Sequence, residues 1–356
     1  MPRGKAARPL ICNPGLAYIL TVAGGRYKDQ LQHSLTLSAT AGRRRSQPEM
    51  ARLTMSAMGP DVNVIIVTYN SMNVIDALLD SLPSALDGLK YDVVVVDNGS
   101  ADGTADLVAA RGGCRVVRSP NVGYAGGINR GVREAVPAEA ILILNPDVRL
   151  GEKSVPPLLA LLREPDVGIV APQVRSPLGK LDPTLRREPT LLRALGLAGT
   201  RLAVLSEYVT SPADYAQARV VDWAVGAALL VSRKCHEMLG GWDESYFLYS
   251  EETDLCLRAR DKGLLTLYEP RSVVVHIGGQ SGRDRRTHVM QIVNRVRLYR
   301  RRHGSLVSWC YYWLTIASEV SWVARGHRQS WSAVVAMLKP SRRPKEIQCC
   351  GHRMPR

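Results

Sequence analysis

Three carboxylates crowd one short segment of this 356-residue sequence: Glu251, Glu252 and Asp254, within Tyr246-Phe-Leu-Tyr-Ser-Glu-Glu-Thr-Asp-Leu-Cys-Leu-Arg258. A helix opening there would keep them ionised through its macrodipole, and an ionised carboxylate can take a proton from a hydroxyl. Acids in a first helical turn are also ordinary capping, so both readings stand. Asn145-Pro146-Asp147 follows the apolar run ILIL at 141–144. Pro146 cannot extend a strand ladder, so it fixes a turn that presents Asp147 as a hard oxygen ligand, suited to Mg²⁺ or Mn²⁺ on a diphosphate. A simple turn aspartate is the alternative. Asp97-Asn98-Gly99-Ser100 can accept hydrogen bonds from a ribose or a pyrimidine N–H, and reads equally as a strand-to-helix turn. Asn121-Val-Gly-Tyr-Ala-Gly-Gly-Ile-Asn129 opens a helix with glycines that would let a phosphate approach the backbone; close helix–strand packing is the other reading. It is neither a dinucleotide fingerprint nor a Walker loop. His276 ends a valine-rich run, and only its company argues for a metal role.

The elements that must position these groups follow from the apolar pattern. Val62–Thr68 (VNVIIVT) is a nearly continuous apolar run, as expected of a parallel strand covered on both faces. Residues 73–86 have helical spacing, with Val74, Leu78, Leu79 and Leu82 on one side. Residues 92–96 form a second strand, after which Ser100 and Asp102 offer caps for a helix to Arg111. Arg115–Arg118 is a short third strand, 123–136 a helix and 141–144 a fourth strand. This alternation predicts an α/β fold, a mostly parallel sheet with helices on both faces, in which ligands collect at the carboxyl ends of strands. Residues 176–218, rich in Pro, Arg and Leu, carry no legible element. From Val220 come an apolar stretch to Val231, a loop over 240–249, a helix over 252–262 stopped by Gly263, and a strand over 272–276.

In this order, VNVIIVTYN (62–70), VVVDNGSADGT (94–104), NVGYAGGINRG (121–131), LILNPDV (142–148), GAALLVSR (226–233), GGWDESYFLYSEETDLCLR (240–258) and VVVHIGGQS (273–281) resemble the family 2 glycosyltransferases. The resemblance covers roughly residues 61–300 and is nearest to the rhamnosyltransferase-like branch that builds bacterial cell-wall and surface polysaccharides. It implies a GT-A (Rossmann-like) fold and an inverting transfer. Asp97 would contact the nucleoside and Thr68 and Tyr69 would line its base, with Asn70, Asn98, Gly123, Gly126, Asn129 and Asn145 completing the nucleotide-sugar site. Asp147 matches the last acid of the family's D-x-D, whose first position here is Asn145, so the Mg²⁺ or Mn²⁺ would lean also on His276. The catalytic base falls on Glu252, where Asp is commoner in the family, with Glu251 beside it. Trp242, Asp243 and Asp254 would face the acceptor, an aromatic ring being able to stack on a sugar, although core packing serves Trp242 as well. The donor implied is dTDP-rhamnose, with UDP-galactofuranose, UDP-glucose or UDP-N-acetylglucosamine as alternatives. The acceptor implied is polyprenyl-linked or a polysaccharide. A non-catalytic nucleotide- or nucleic-acid-binding protein is the reading from another class; the retained acids Asp147, Glu251, Glu252 and Asp254 argue against it.

Charge and composition bound the rest. The net charge of +15 sits in the flanks: residues 1–58 hold nine Lys/Arg against two acids and residues 283–356 sixteen against three, leaving twenty-two against twenty-seven in 59–282. A nucleic-acid enzyme would gather positive charge around its cleft, so no nucleic-acid partner is expected. Basic flanks suit anionic lipid headgroups, or are solvated tails. No apolar run is long enough to span a membrane, and Asn13-Pro14 interrupts the signal-like stretch from Leu10 to Ala23. The expected organisation is an extension over 1–58, disordered or upstream of the true start, a GT-A catalytic domain over 59–282, and a basic, partly helical region over 283–356. Within the last, Trp309, Trp313, Ile316, Val320 and Val323 recur at helical spacing, which suits a helix lying on a membrane or docked on the catalytic domain. Seven scattered cysteines without metal spacing read as reduced thiols. The expected location is cytoplasmic, on the inner face of the plasma membrane.

Overall fold

A computed structural model describes residues 59–200, 202–278, 284–349 and 351–356. The expected extension over 1–58 and residues 279–281 of the last motif lie outside the described residues. The strands are β1 (Val62–Thr68), β2 (Tyr91–Asp97), β3 (Arg115–Arg118), β4 (Ala140–Leu144), β5 (Val148–Leu150), β6 (Val167–Arg175), β7 (Leu185–Arg186), β8 (Arg219–Val221), β9 (Trp223–Ala224), β10 (Ala228–Ser232) and β11 (Leu265–His276). They form a nine-stranded sheet in the order β3-β2-β1-β4-β10-β6-β11-β5, with β8 also on β11, and a small β7-β9 pair. The first four neighbours run parallel, as do β6 and β11. Strand β10 enters antiparallel between β4 and β6, and β5 and β8 lie antiparallel on β11.

All seven residues of β1 are buried, and their two-residue period divides them between two cores. Val62, Val64 and Ile66 pack with α1 (Ile75–Leu86) and, further along the sheet, α4 (Val155–Leu162). Ile65 and Val67 pack with α3 (Gly123–Glu134) and α7 (Glu251–Asp261) on the other face. Helix α3 lies close on the sheet because a Cβ on Gly131 would stand 2.6 Å from the Ile65 side chain, contact that only glycine avoids. Helix α2 (Thr104–Arg111) covers the β3 edge. The Asp102 carboxylate accepts from the Thr104 amide at its start, whereas Ser100 turns instead to Asp97. The stretch 176–218 holds β7, α5 (Leu191–Ala194) and two 3-10 turns, elements too short for hydropathy periodicity to register. Helix α6 (Arg233–Leu239) follows β10, capped by the Ser232 hydroxyl on the Cys235 amide.

Three helices follow β11: α8 (Arg285–Arg302), α9 (Ser305–Ala324) and α10 (Arg328–Leu338). They build a third core, against which Phe247, Leu248 and Tyr249 also pack. The apolar stripe expected on α9 is split. Ile316 is buried, but Trp313 and Val320 are each 47% exposed, and the buried face is Ser308, Tyr311, Tyr312, Thr315, Ile316 and Glu319. Polar tips hid that face from the hydropathy pattern. The Tyr312 hydroxyl donates to the Met337 carbonyl and Tyr311 accepts from Arg295, so both rings enter the core satisfied. No helix among the described residues is long and apolar enough to cross a membrane. Cys235 and Cys256 are buried free thiols, while Cys310 is exposed.

Candidate active site

The antiparallel β5–β11 ladder joins two residues far apart in sequence. His276 pairs with Val148, and the Ile277 amide donates to the Asp147 carbonyl at 2.9 Å. His276 Nε2 therefore lies 3.3 Å from Asp147 Oδ2, and hydrogen bonding to that carboxylate holds the imidazole above its ordinary pKa. Among the described residues no group of three His, Cys, Asp or Glu side chains converges on one point. A carboxylate and an imidazole nevertheless fit a divalent ion that takes its remaining oxygens from a diphosphate and water.

Glu251 and Glu252 begin α7, and the loop before them is unusual. Phe247, Tyr249 and Ser250 all have positive φ, at 61°, 67° and 74°, a conformation that surrounding contacts must enforce. Two clamps do so. The buried Asn294 of α8 directs its amide group at the Tyr246, Leu248 and Tyr249 carbonyls, at 2.7, 2.9 and 3.2 Å. From the other side the Tyr124 amide donates to the Phe247 carbonyl at 2.7 Å. A Cβ on Gly123 would lie 2.5 Å from that same oxygen, so the loop's close approach requires glycine there.

Glu251 is buried and Glu252 part-buried, and neither Oε2 has a hydrogen-bond partner. Burial raises the pKa of both carboxyls. For Glu251 the neighbouring Glu252 charge pushes further the same way. For Glu252, backbone N–H groups of its own residue, Gly226 and Thr253, together with Arg186, oppose the rise. The upward push is therefore the less opposed at Glu251, and the two carboxyls titrate as a pair.

Two residues unmarked in the sequence belong here. The part-buried Tyr124 phenol feels the charges of Glu251, Glu252 and Asp147, and so lies near both halves of the site. Its hydroxyl donates to the Gly226 carbonyl at 3.4 Å. Arg186, against the Tyr208 ring at 4.2 Å, supplies positive charge to Glu252. Tyr124 lay inside the glycine-rich motif, but its role depends on contacts no spacing reveals, and Arg186 falls in the stretch without periodicity.

The nucleotide-side residues gather at the ends of β1 and β2, where Thr68 and Asp97 are register partners. Asp97 is 4% exposed, accepting from the Thr68 hydroxyl at 3.0 Å, the Ser100 amide at 3.0 Å and the Ser100 hydroxyl. Thr68 is fully buried, while Tyr69 is exposed at the strand end. Asn70 bridges to Ser100 and Ala101. Asn98 donates to the Gly123 carbonyl at 2.9 Å, and Gly126 packs on Val122. Asn129 reaches away from this edge, exchanging hydrogen bonds with the Trp242 backbone and donating to Glu244. Asn145 holds the turn to Asp147 through its amide on the Ala227 carbonyl.

The acceptor-facing set does not assemble. Trp242 is 3% exposed within the second core, so its ring has no open face for a sugar. The Asp243 carboxylate caps a 3-10 turn at Ser245 and pairs with Arg301 of α8. Asp254 is buried against Arg258 at 2.6 Å. These three lock the 240–250 loop in place; packing, not display, explains them.

Residues 63–213 match the model of the family "Glycosyl transferase family 2". The N-acetylglucosaminyl-diphospho-decaprenol L-rhamnosyltransferase of Mycobacterium tuberculosis is 32% identical over 245 residues, which are 64% of this chain and 79% of that protein. The chain belongs to glycosyl transferase family 2. A second relative of this glycosyltransferase, the low-salt glycan biosynthesis hexosyltransferase Agl10 of Haloferax volcanii, is 29% identical over 57% of this chain and 63% of its own. In fold the glycosyltransferase resembles a mannosyltransferase of Pyrobaculum calidifontis solved with GDP-Man and Mn²⁺, with a TM-score of 0.51, 19% identity, and 81% and 83% of the two chains covered. The GT-A architecture expected from the motifs is thus the observed one.

Proposed function

We propose that the glycosyltransferase moves rhamnose from dTDP-rhamnose to a polyprenyl-linked or polysaccharide acceptor, with inversion. The observation that carries the mechanism is the placement of Glu252, part-buried at the start of α7 with one carboxylate oxygen unpartnered. Such an oxygen can receive the proton of an acceptor hydroxyl as that oxygen attacks the anomeric carbon. Glu251, pushed towards its neutral form by burial and the neighbouring Glu252 charge, would add less negative charge beside the incoming nucleophile. Asp147 and His276 would hold Mg²⁺ or Mn²⁺, which neutralises charge on the departing nucleoside diphosphate. Tyr124, between the two halves, would orient the donor's sugar by its hydroxyl. Asp97, Thr68 and Asn70 would shape the nucleoside edge, Asp97 mainly by ordering the turn it caps. The choice of rhamnose and of a lipid-linked acceptor rests on the named activity of the mycobacterial relative.

The deciding experiment is a donor screen that follows nucleoside diphosphate release with Mg²⁺ or Mn²⁺ present. Turnover of dTDP-rhamnose well above UDP-galactofuranose, UDP-glucose and UDP-N-acetylglucosamine is expected. Preference for a UDP-sugar would keep the mechanism and replace the donor. We further propose that the protein works on the cytoplasmic face of an anionic membrane, held by its C-terminal helices. The half-exposed Trp313 on α9 supports this, and Trp313→Ser should weaken binding to anionic vesicles.

A further inference from the structure

Much of the basic charge in the C-terminal region is directed inward. Arg295 pairs with Glu207, Arg301 with Asp243 and Arg302 with Asp261, while Arg297 and Arg343 donate to backbone carbonyls. A different set surrounds an open cavity of about 510 Å³ between the start of α8, the outer face of α10 and the turn after it. On α10, Trp331 and Val335 stand one turn apart, and Lys339 follows just past the helix end. Opposite them stand Arg285, Arg286 and Val289, with Arg342 closing the end. Of the carboxylates nearby, Glu346 is taken by Arg286 and Asp284 caps the Thr287 amide. Arg285, Lys339 and Arg342 have no carboxylate partner among the described residues. Trp331, at the rim, is 58% exposed.

We propose that this cavity binds the phosphate of an anionic lipid headgroup. Three cations without carboxylate partners around one cavity attract a phosphate. An apolar wall of Val289, Val335 and Trp331 suits the glycerol and upper acyl region attached to it, and an exposed tryptophan at a basic rim is at home at the membrane–water boundary. The volume lies in the range of small-ligand sites. The proposal rests on the membrane-attachment reading above in assigning the phosphate to a lipid, and it puts the specific contact on α8 and α10 instead of the α9 stripe.

The test uses the full chain and co-sedimentation with vesicles of phosphatidylcholine alone or mixed with phosphatidylglycerol. The triple variant Arg285→Ala, Lys339→Ala, Arg342→Ala should bind the anionic vesicles about 100-fold more weakly, as expected for three cations at an anionic surface. A control removing equal charge elsewhere, Arg325→Ala, Arg328→Ala, Arg356→Ala, should lose far less. Equal losses in the two triples would mean diffuse charge and overturn the site. Short-chain phosphatidylglycerol should quench or shift Trp331 fluorescence, assigned by difference from Trp331→Phe, at concentrations where inorganic phosphate does neither. A response to inorganic phosphate alone would retain an anion cavity and overturn its lipid assignment. Loss of vesicle binding in Trp313→Ser but not in the cavity triple would uphold membrane attachment and sink this site. Transfer to a soluble acceptor should be unchanged in the triple, which separates either failure from failure of the catalytic reading.

Discussion

A base that must accept a proton has to be ionised while sheltered, and at Glu252, the proposed base, backbone N–H groups and Arg186 oppose the rise that burial imposes. Glu252→Gln should lower kcat by roughly 10²–10⁴-fold, the usual worth of a general base, with donor affinity little changed in calorimetry. A larger loss in Glu251→Gln would transfer the role to its neighbour. Because the folded-state pKa of Glu252 is raised, wild-type activity should fall on the acid side at a pH above the ordinary glutamate value. The same burial means that ionising this pair opposes folding. Its stabilising effect is complete below the ordinary pKa and lost as pH rises through the raised one. Glu251→Gln should therefore raise the melting temperature at neutral pH. At the other half of the site, Asp147→Ala should abolish both transfer and donor hydrolysis. Near-normal turnover in that variant, or full wild-type activity in excess chelator, would remove the metal from the reading.

At the scale of elements, the 247–250 loop couples α8 to the start of α7. Three left-handed non-glycine residues persist because Asn294 satisfies three of the loop's carbonyls and Tyr124 a fourth. Asn294→Ala leaves those acceptors buried without their donor and should cost on the order of 2–4 kcal/mol in stability. The loop would then relax and shift Glu251 and Glu252. In the folded fraction, measured well below the melting temperature, kcat should drop while donor KM moves little. An unchanged kcat would reduce Asn294 to a purely stabilising role. The β5–β11 ladder is the matching device for Asp147 and His276: a three-residue strand sets the distance between them.

For the whole molecule, the titratable groups enclosed by its cores make stability depend on pH. His236 is a clear case. Burial, with Arg233 and Arg258 adding positive charge, lowers its pKa to about 4. A depressed histidine contributes stability that is present above its unfolded value near 6.5 and lost as pH falls towards the folded value. Between those limits wild-type denaturant midpoints should decline with acid, and His236→Gln should flatten that slope. Midpoints falling in parallel for both proteins would assign the acid sensitivity to other groups.

The strongly periodic parts of this protein were determined by local sequence. A seven-residue apolar strand such as β1 can be covered only on both faces, so the parallel sheet and its helices follow from hydropathy, as do the turn residues at strand ends. The motifs at those ends announced a glycosyltransferase because their residue types are needed together for one chemistry. Tertiary structure decided which of them face the site. Trp242, Asp243 and Asp254 share a motif with Glu252, yet Asn129 and Arg301 from other helices, and Arg258 one turn along α7, draw them inward. Tyr124 and Arg186 gain their relevance only from what packs beside them. On α9 the buried face runs through Tyr311, Tyr312 and Glu319, each matched to a partner on α8 or α10. Hydropathy ranks a side chain by its cost in the absence of a partner; only the packed molecule supplies the partner and cancels that cost.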